Sequence, residues 1–380
     1  MINRREFLEA AGLAAIGAVA PGAVSAAATA APVNWPPFRN TLAIDGLGGS
    51  ALFYMKEGDP GIPEALKALR ECGLSGVMTT AAPQGRFWYN DQAYNETKQR
   101  IDDWKAVIER HPEVLMLIRD GADLQRAQRE DRVGVIFTFQ GVESLGEDAD
   151  RIPMFREQGV RVMQLTHNRR NLVGDGCMEP GNAGLSNFGH QVVERLNAEK
   201  VVVDLAHGSP RTIHEGILAS NKPVLISHTG CRALADAPRL VHDDDLKLMA
   251  DRGGVAGIIF WPYLRRQGQQ TSADVIRHIE HAIKVCGEDH VGIGTDLDIS
   301  PVEITPEFVK DNTEQIKGMI EDGIFDKDRS PELFLFVPDL NMANRFEVLA
   351  AMLSARGHSD ARIAKILGGN FARVMGDVWG

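Results

Sequence analysis

Three apolar runs in this chain end in residues able to hold a metal ion or move a proton. They are Val201-Val202-Val203-Asp204-Leu205-Ala206-His207, Pro223-Val224-Leu225-Ile226-Ser227-His228 and Val291-Gly292-Ile293-Gly294-Thr295-Asp296. Two imidazoles and a carboxylate brought to one place suit a single zinc-like dication with one coordination position left open for water. A lone histidine closing an apolar run is ordinarily a core residue. Here the pattern recurs at three runs, and short Val/Ile/Leu runs bounded by turn residues are strands buried on both faces. Polar residues at several such strand ends are what the C-terminal rim of a parallel β/α barrel presents.

The elements needed to position them are present in alternation. Strand patterns cover residues 42–47, 76–80, 134–140, 160–167, 201–207, 223–228, 255–260 and 290–296. Helical patterns cover 63–71, 96–110, 187–198, 211–220, 243–252 and 272–285, with apolar residues at three- and four-residue spacing, as in Ile101, Trp104, Val107 and Ile108. Strand and helix in strict succession imply right-handed crossovers and a parallel sheet. The fold class is therefore α/β, a TIM-type (β/α)8 barrel. Helical patterns at 344–356 and 359–367, the second N-capped by Ser359, form a C-terminal cap expected on the outside of the barrel. Three connections are longer than a barrel needs: 83–95, with Phe87, Trp88, Tyr89 and Tyr94; 169–184; and 299–340. Long rim loops build pocket walls or subunit contacts.

Composition bounds the partners. The 380 residues carry a formal net charge of −11, which argues against nucleic acid or an anionic membrane. No phosphate-cradling Gly-x-x-x-x-Gly-Lys segment and no internal apolar stretch of membrane-spanning length occurs. Asn3-Arg4-Arg5-Glu6-Phe7-Leu8, the Ala/Gly-rich stretch 10–20 and the small-residue sites Val24-Ser25-Ala26 and Ala28-Thr29-Ala30 resemble a twin-arginine export signal. Residues 1–30 are expected to be that signal and 35–380 a single barrel domain, which implies the twin-arginine machinery as a partner and a periplasmic or otherwise exported location. Of the four cysteines, Cys72 and Cys286 end helical patterns as core residues.

The wider context of the rim residues resembles a known family. Val162-Met163-Gln164-Leu165-Thr166-His167-Asn168, Gly184-Leu185-Ser186-Asn187-Phe188-Gly189, Val203-Asp204-Leu205-Ala206-His207, Ile226-Ser227-His228-Thr229 and Ala237-Pro238-Arg239 follow in order. His290-Val291-Gly292-Ile293-Gly294-Thr295-Asp296-Leu297-Asp298 and Ile366-Leu367-Gly368-Gly369-Asn370-Phe371 continue the series. Together they resemble the membrane (renal-type) dipeptidases of the amidohydrolase superfamily, from about Thr41 to the end. The resemblance implies a barrel whose dinuclear zinc site hydrolyses dipeptides. By motif, His207 and His228 would bind one metal and Asp296 would be the acid of the last strand. His167 would partner the oxyanion and Arg239 would receive the substrate's carboxylate. A homodimer is a further expectation from the family.

The departures fall on one metal position. Where the family's first strand ends Asp-Gly-His-x-Asp, this chain has Asp45-Gly46-Leu47-Gly48-Gly49; where the third ends in a metal-bridging Glu-Gly, it has Gln140-Gly141. Leucine and glycine offer no side-chain donor, and of the family's three carboxylates only Asp296 is left to offset metal charge. The expectation is one divalent ion, zinc by the resemblance, on His207, His228 and either Gln140 or a water, with the second position vacant. Asp45 is expected to order its loop, Glu143 to be a solvated rim acid, and His278 and His281 to be structural.

These readings converge on a mononuclear amidohydrolase acting on a small dipeptide or N-acyl amino acid. Asp296 would take a proton from water and pass it to the leaving amine. Two alternatives stand beside it: an exported binding protein that kept the barrel and lost the chemistry, and a different hydrolysis or lyase reaction on the same barrel.

Overall fold

The computed structural model describes residues 34–82 and 91–380. The expected leader and the aromatic residues Phe87, Trp88 and Tyr89 lie outside them. Eleven strands occur among the described residues: β1 (Ile44–Asp45), β2 (Gly48–Gly49), β3 (Gly76–Thr80), β4 (Leu115–Leu117), β5 (Val133–Gln140), β6 (Val160–Gln164), β7 (Val202–Asp204), β8 (Leu225–Thr229), β9 (Val255–Ile258), β10 (Val291–Ile293) and β11 (Leu297–Asp298). Eight pair in parallel in the order β1-β3-β5-β6-β7-β8-β9-β10. The Gly46 N–H donates to the Ile293 carbonyl at 2.8 Å, which brings β10 back to β1 and closes the ring. The β/α barrel expected from the alternation is the observed fold.

Side-chain alternation divides the strands between two cores, because successive residues of a strand face opposite ways. Ile44, Met78, Ile136, Val162, Val202, Leu225 and Val255 form one cluster with Phe371, Val374, Met375 and Val378 of the last helix, Asn370–Trp379. The alternate residues Val77, Val135, Phe137, Met163, Val203, Ile226 and Ala256 belong to the larger cluster shared with the surrounding helices. The interior cluster shows what the sequence patterns missed. The terminal helices do not merely coat the outside, since the last one plugs the barrel floor. The Phe371 ring lies so close to Gly46, Gly257 and Gly292 that a Cβ at any of the three would meet it within about 3.0 Å.

A ninth parallel strand, β4, and the helix Gly121–Arg129 also escaped the pattern reading. Strand β5 is long enough to serve two neighbours along one edge. Its residues 133–135 pair with β4 and its residues from Phe137 onward pair with β6, with a register shift between Phe137 and Thr138.

Five strands stop short of their expected ends, and those expected through Leu47, His167 and Phe260 end at Asp45, Gln164 and Ile258. The strand expected through His207 ends at Asp204, and the one expected through Asp296 ends at Ile293. Beyond β7, the Asp204 carboxylate accepts from the N–H of Ala206, two residues on, at 3.0 Å. This is an Asx-type turn that takes the chain out of the ladder. His207 and Asp296 then adopt left-handed backbone, at φ +62° and +57°, a conformation that costs a non-glycine residue on the order of 1 kcal/mol and concentrates at functional sites.

Candidate active site

His207 and His228 meet at the C-terminal rim. Their Nε2 atoms lie 2.9 Å apart, and both rings are held from behind. Asn168 Oδ1 sits 2.8 Å from His207 Nδ1 and, as a carbonyl oxygen, can only accept a hydrogen bond. The Ser227 hydroxyl donates to the buried Asp204 carboxylate at 2.5 Å, so it accepts from His228 Nδ1 at 2.7 Å. Both protons are thereby placed on Nδ1, leaving the two Nε2 lone pairs directed at one point. That is the tautomer a metal-ligating histidine requires.

Burial, with Arg239 and the neighbouring imidazoles adding to it, holds His207 well below the usual histidine range. The ring is neutral at neutral pH and open to an electrophile. Asp204 is pushed up by its burial, against donors from Ser227 and Ala206 that favour the carboxylate.

Gln140 completes the group. Its Nε2 lies 3.2 Å from His228 Nε2, while its buried Oε1 has no hydrogen-bond partner among the described residues. Turning the amide over brings a carbonyl oxygen to the convergence point. No three His, Cys, Asp or Glu side chains converge as a metal site among the described residues, so the third donor, if protein-derived, is this carboxamide. Two imidazoles and an amide oxygen fit one metal ion of borderline softness.

The second position does not fit. Leu47 is buried, and Gly48 and Gly49 form β2, paired with β11. A Cβ at Gly49 would meet no atom within 4 Å, so open space stands where the family pattern has an acid.

The remaining expected residues reach the same cavity, of about 850 Å³, lined among others by Gln140, His167, His207, Arg239 and Asp296. The His167 ring stacks on His207, centroids 4.3 Å apart and planes 29° apart. Arg239 is buried. Its Nη2 donates to the His228 carbonyl at 2.7 Å, while Nε and Nη1 have no partner among the described residues. Two buried guanidinium donors without a partner among the described residues suit an anionic group such as a carboxylate. Asp296 is anchored through its backbone: its N–H donates to the Leu47 carbonyl at 2.7 Å, and its carbonyl accepts from Trp261 Nε1 at 2.9 Å.

Elsewhere the structure sorts the other candidates. Glu143 is not a solvated rim acid. It packs over Gly141, where burial pushes its carboxyl up to about 7 against the 3.3 Å hydrogen bond from Asn171. Asp45 orders its loop as expected, accepting from Leu47 N, Thr295 N and Thr295 Oγ1. His278 accepts from the Cys231 N–H and bonds the Leu264 carbonyl, a core role, and His281 pairs with Asp243. The sequence reading passed over Asn168, Ser227 and Asp204 as supports for the histidines. Their signal was available, since Asn168 follows His167 directly and Asp204 and Ser227 are polar interruptions of apolar strands.

The sequence profile described as membrane dipeptidase (Peptidase family M19) matches residues 58–327. The chain belongs to the membrane dipeptidase family. Among similar proteins, the dipeptidase verJ of Clonostachys rogersoniana is 28% identical over 289 residues, covering 76% of this chain. The dipeptidase tcpJ of Claviceps purpurea is 27% identical over 304 residues, covering 78% of this chain. The matched stretches span 66% and 64% of those two proteins' own lengths. Of solved structures, an amidohydrolase from Pseudomonas aeruginosa is 27% identical with a TM-score of 0.75, covering 90% of this chain and 98% of that one. A metallopeptidase from Rhodobacter sphaeroides, bound to a phosphinate mimic of the dipeptide L-Ala-D-Ala, shares the fold at 19% identity and a TM-score of 0.71, covering 89% of this chain and all of that one.

Proposed function

We propose that this chain is a metal-dependent amide hydrolase of the dipeptidase type that works with one divalent ion, zinc by family, rather than two. The observation that carries the reading is the pair of Nε2 lone pairs brought to one point by acceptors on both Nδ1 atoms. His207, His228 and Gln140 would hold the ion, which when bound supplies Lewis-acid activation of water and of the scissile carbonyl. Asp296 accepts the proton of the attacking water and hands it to the leaving amine. His167, stacked on His207, donates to the charge developing on the carbonyl oxygen. Arg239 takes the carboxylate of the amine-side residue, so that the substrate is a dipeptide or N-acyl amino acid. The resemblance of residues 1–30 to a twin-arginine signal supports export of the folded chain.

A non-catalytic binding protein is the rival reading, motivated by Leu47, Gly49 and Gln140 standing where the family has metal ligands. Metal analysis of the purified chain, with hydrolysis of dipeptides and acyl-amino acids measured with and without chelator, separates the two. One stoichiometric ion, with turnover abolished by chelator and by His207→Ala, is the expected result. No stoichiometric ion, and either no turnover or turnover indifferent to chelator, overturns it.

A further inference from the structure

The cavity is larger than a small dipeptide fills. At about 850 Å³ it lies near the upper end of the roughly 300–1,000 Å³ range that encloses drug-sized ligands. Half of its wall comes from the segment after β11, where the helix Pro306–Glu321 lays one face along it through Phe308, Gln315, Gly318 and Met319. Leu335 and Phe336 line the same space and are buried, and Phe336 lies 6.1 Å from Phe308, ring centre to ring centre. Trp261 and Tyr263 add two nearly parallel rings. Two glycines, Gly49 and Gly318, open the chamber, since a Cβ on either would meet nothing within 4 Å. The apolar lining also continues outward. Val302 and Phe308 line the cavity, and their near neighbours Ile304 and Val309 are 49% and 40% exposed. Besides Asp296 the wall carries the half-buried Asp298 and Asp311 and, at its exposed margin, Glu314, Glu321 and Asp322, all of which disfavour an anionic tail.

Arg239 sets the direction. If it holds the carboxylate beside the histidines, the amine-side residue occupies that end and the rest of the chamber faces the acyl side of the scissile bond. We propose that this acyl side is a large uncharged apolar group, an acyl chain or arylacyl, so that the preferred substrates are N-acyl amino acids rather than small dipeptides. The inference rests on the amide-hydrolase reading above. Water adds to the acyl carbon, the C–N bond breaks, the nitrogen leaves with a proton, and the products are a carboxylic acid and a free amino acid.

The test is a series of N-acylglycines from acetyl to decanoyl, with Gly-Gly alongside, on the purified full chain supplied with zinc. The expected result is a kcat/KM that rises with chain length by up to about fourfold per methylene until the chamber is full. Gly318→Trp, on a helical position with open space at its Cβ, should cut the decanoyl-to-acetyl ratio at least tenfold, with circular dichroism and a thermal melt reporting that the variant folds. A flat series with acetylglycine or Gly-Gly still cut, or a ratio unmoved by Gly318→Trp, overturns the inference and leaves the hydrolase reading standing. Calorimetric binding of decanoylglycine covers the opposite case. If no amide is cut yet binding tightens with chain length and Gly318→Trp weakens it, the hydrolase reading fails and the acyl chamber stands. Neither cleavage nor binding overturns both.

Discussion

Asn168 is the supporting side chain whose loss reads most directly on the proposed metal. Its Oδ1 is 2.8 Å from His207 Nδ1, and it fixes the proton there so that Nε2 faces His228. In Asn168→Ala that N–H stays buried without an acceptor, at a cost of about 1–3 kcal/mol, and the ring is free to carry its proton on Nε2, where it blocks a ligand. Removing a partner of this kind weakens metal binding by roughly 10- to 100-fold, which matches the same free-energy range. The fold should survive, because the Asn168 backbone carbonyl keeps its 2.9 Å bond from Met178 N. The assay is competition for zinc against a chromophoric chelator, with the cobalt-substituted protein's visible spectrum as a second readout of coordination. Asn168→Asp supplies an acceptor with a negative charge and should bind metal at least as tightly as the native chain. An alanine variant within twofold of the native affinity, or an aspartate variant no better than alanine, refutes the argument that Asn168 sets the tautomer.

Two further outcomes follow from buried side chains. Burial raises Asp45 to about 7 from 3.8, so the folded state holds this proton more tightly than the unfolded chain. Its contribution to stability is full below about pH 4 and is lost as pH rises to about 7, a swing on the order of 4 kcal/mol. Asp45→Asn should therefore gain stability over the native chain at pH 8 and little at pH 4.5 in chemical denaturation; equal differences at both pH values would contradict the assignment. Phe371→Ala empties the barrel floor against Gly46, Gly257 and Gly292 and should cost about 3–5 kcal/mol of unfolding free energy, measured by guanidinium denaturation. A loss below 1 kcal/mol would mean that the floor is not held by this ring.

The barrel was legible because apolar strand runs alternate with helical patterns and because the polar residues closing them recur. His207, His228 and Asp296 were legible for the same reason and Gln140, His167 and Arg239 through the family's motifs, and all but His228 line one cavity. Other features had no comparable signal. Strand β4 is three residues long, too short for alternation to register, and it competes for an edge that β6 also uses. Strand ends were overestimated at His207 and Asp296 because residue pattern alone cannot show that a carboxylate upstream has captured the turn. Glu143 looked like a rim acid because its burial comes from packing over Gly141 and from Asn171, 28 residues away in sequence. The plug made by Phe371 depends on Gly46 just past β1, Gly257 in β9 and Gly292 in β10, a relation that only the closed ring brings together.

The two metal positions of the family rest on one repeated device in this chain. Asp204 at the end of β7 accepts from Ala206 N within its own turn and from Ser227 N on the neighbouring strand. Asp45 at the end of β1 accepts from Leu47 N within its turn and from Thr295 N just after β10, across the closure. Each buried carboxylate thus ties its own turn to the adjacent strand end, and the family's ligand positions lie next to these ties. At Asp204 the residues carried there are His207 and His228, and the donors remain. At Asp45 the same backbone arrangement carries Leu47 and Gly49. The turn at Asp45 is therefore as well tied as the one at Asp204 but carries no side-chain donor, and the space at Gly49 is open. The two turns differ in what they carry: at the Asp204 turn, Asn168 and Ser227 hold the imidazoles of His207 and His228 from behind, whereas at the Asp45 turn the tied backbone presents no side-chain donor at Leu47 or Gly49.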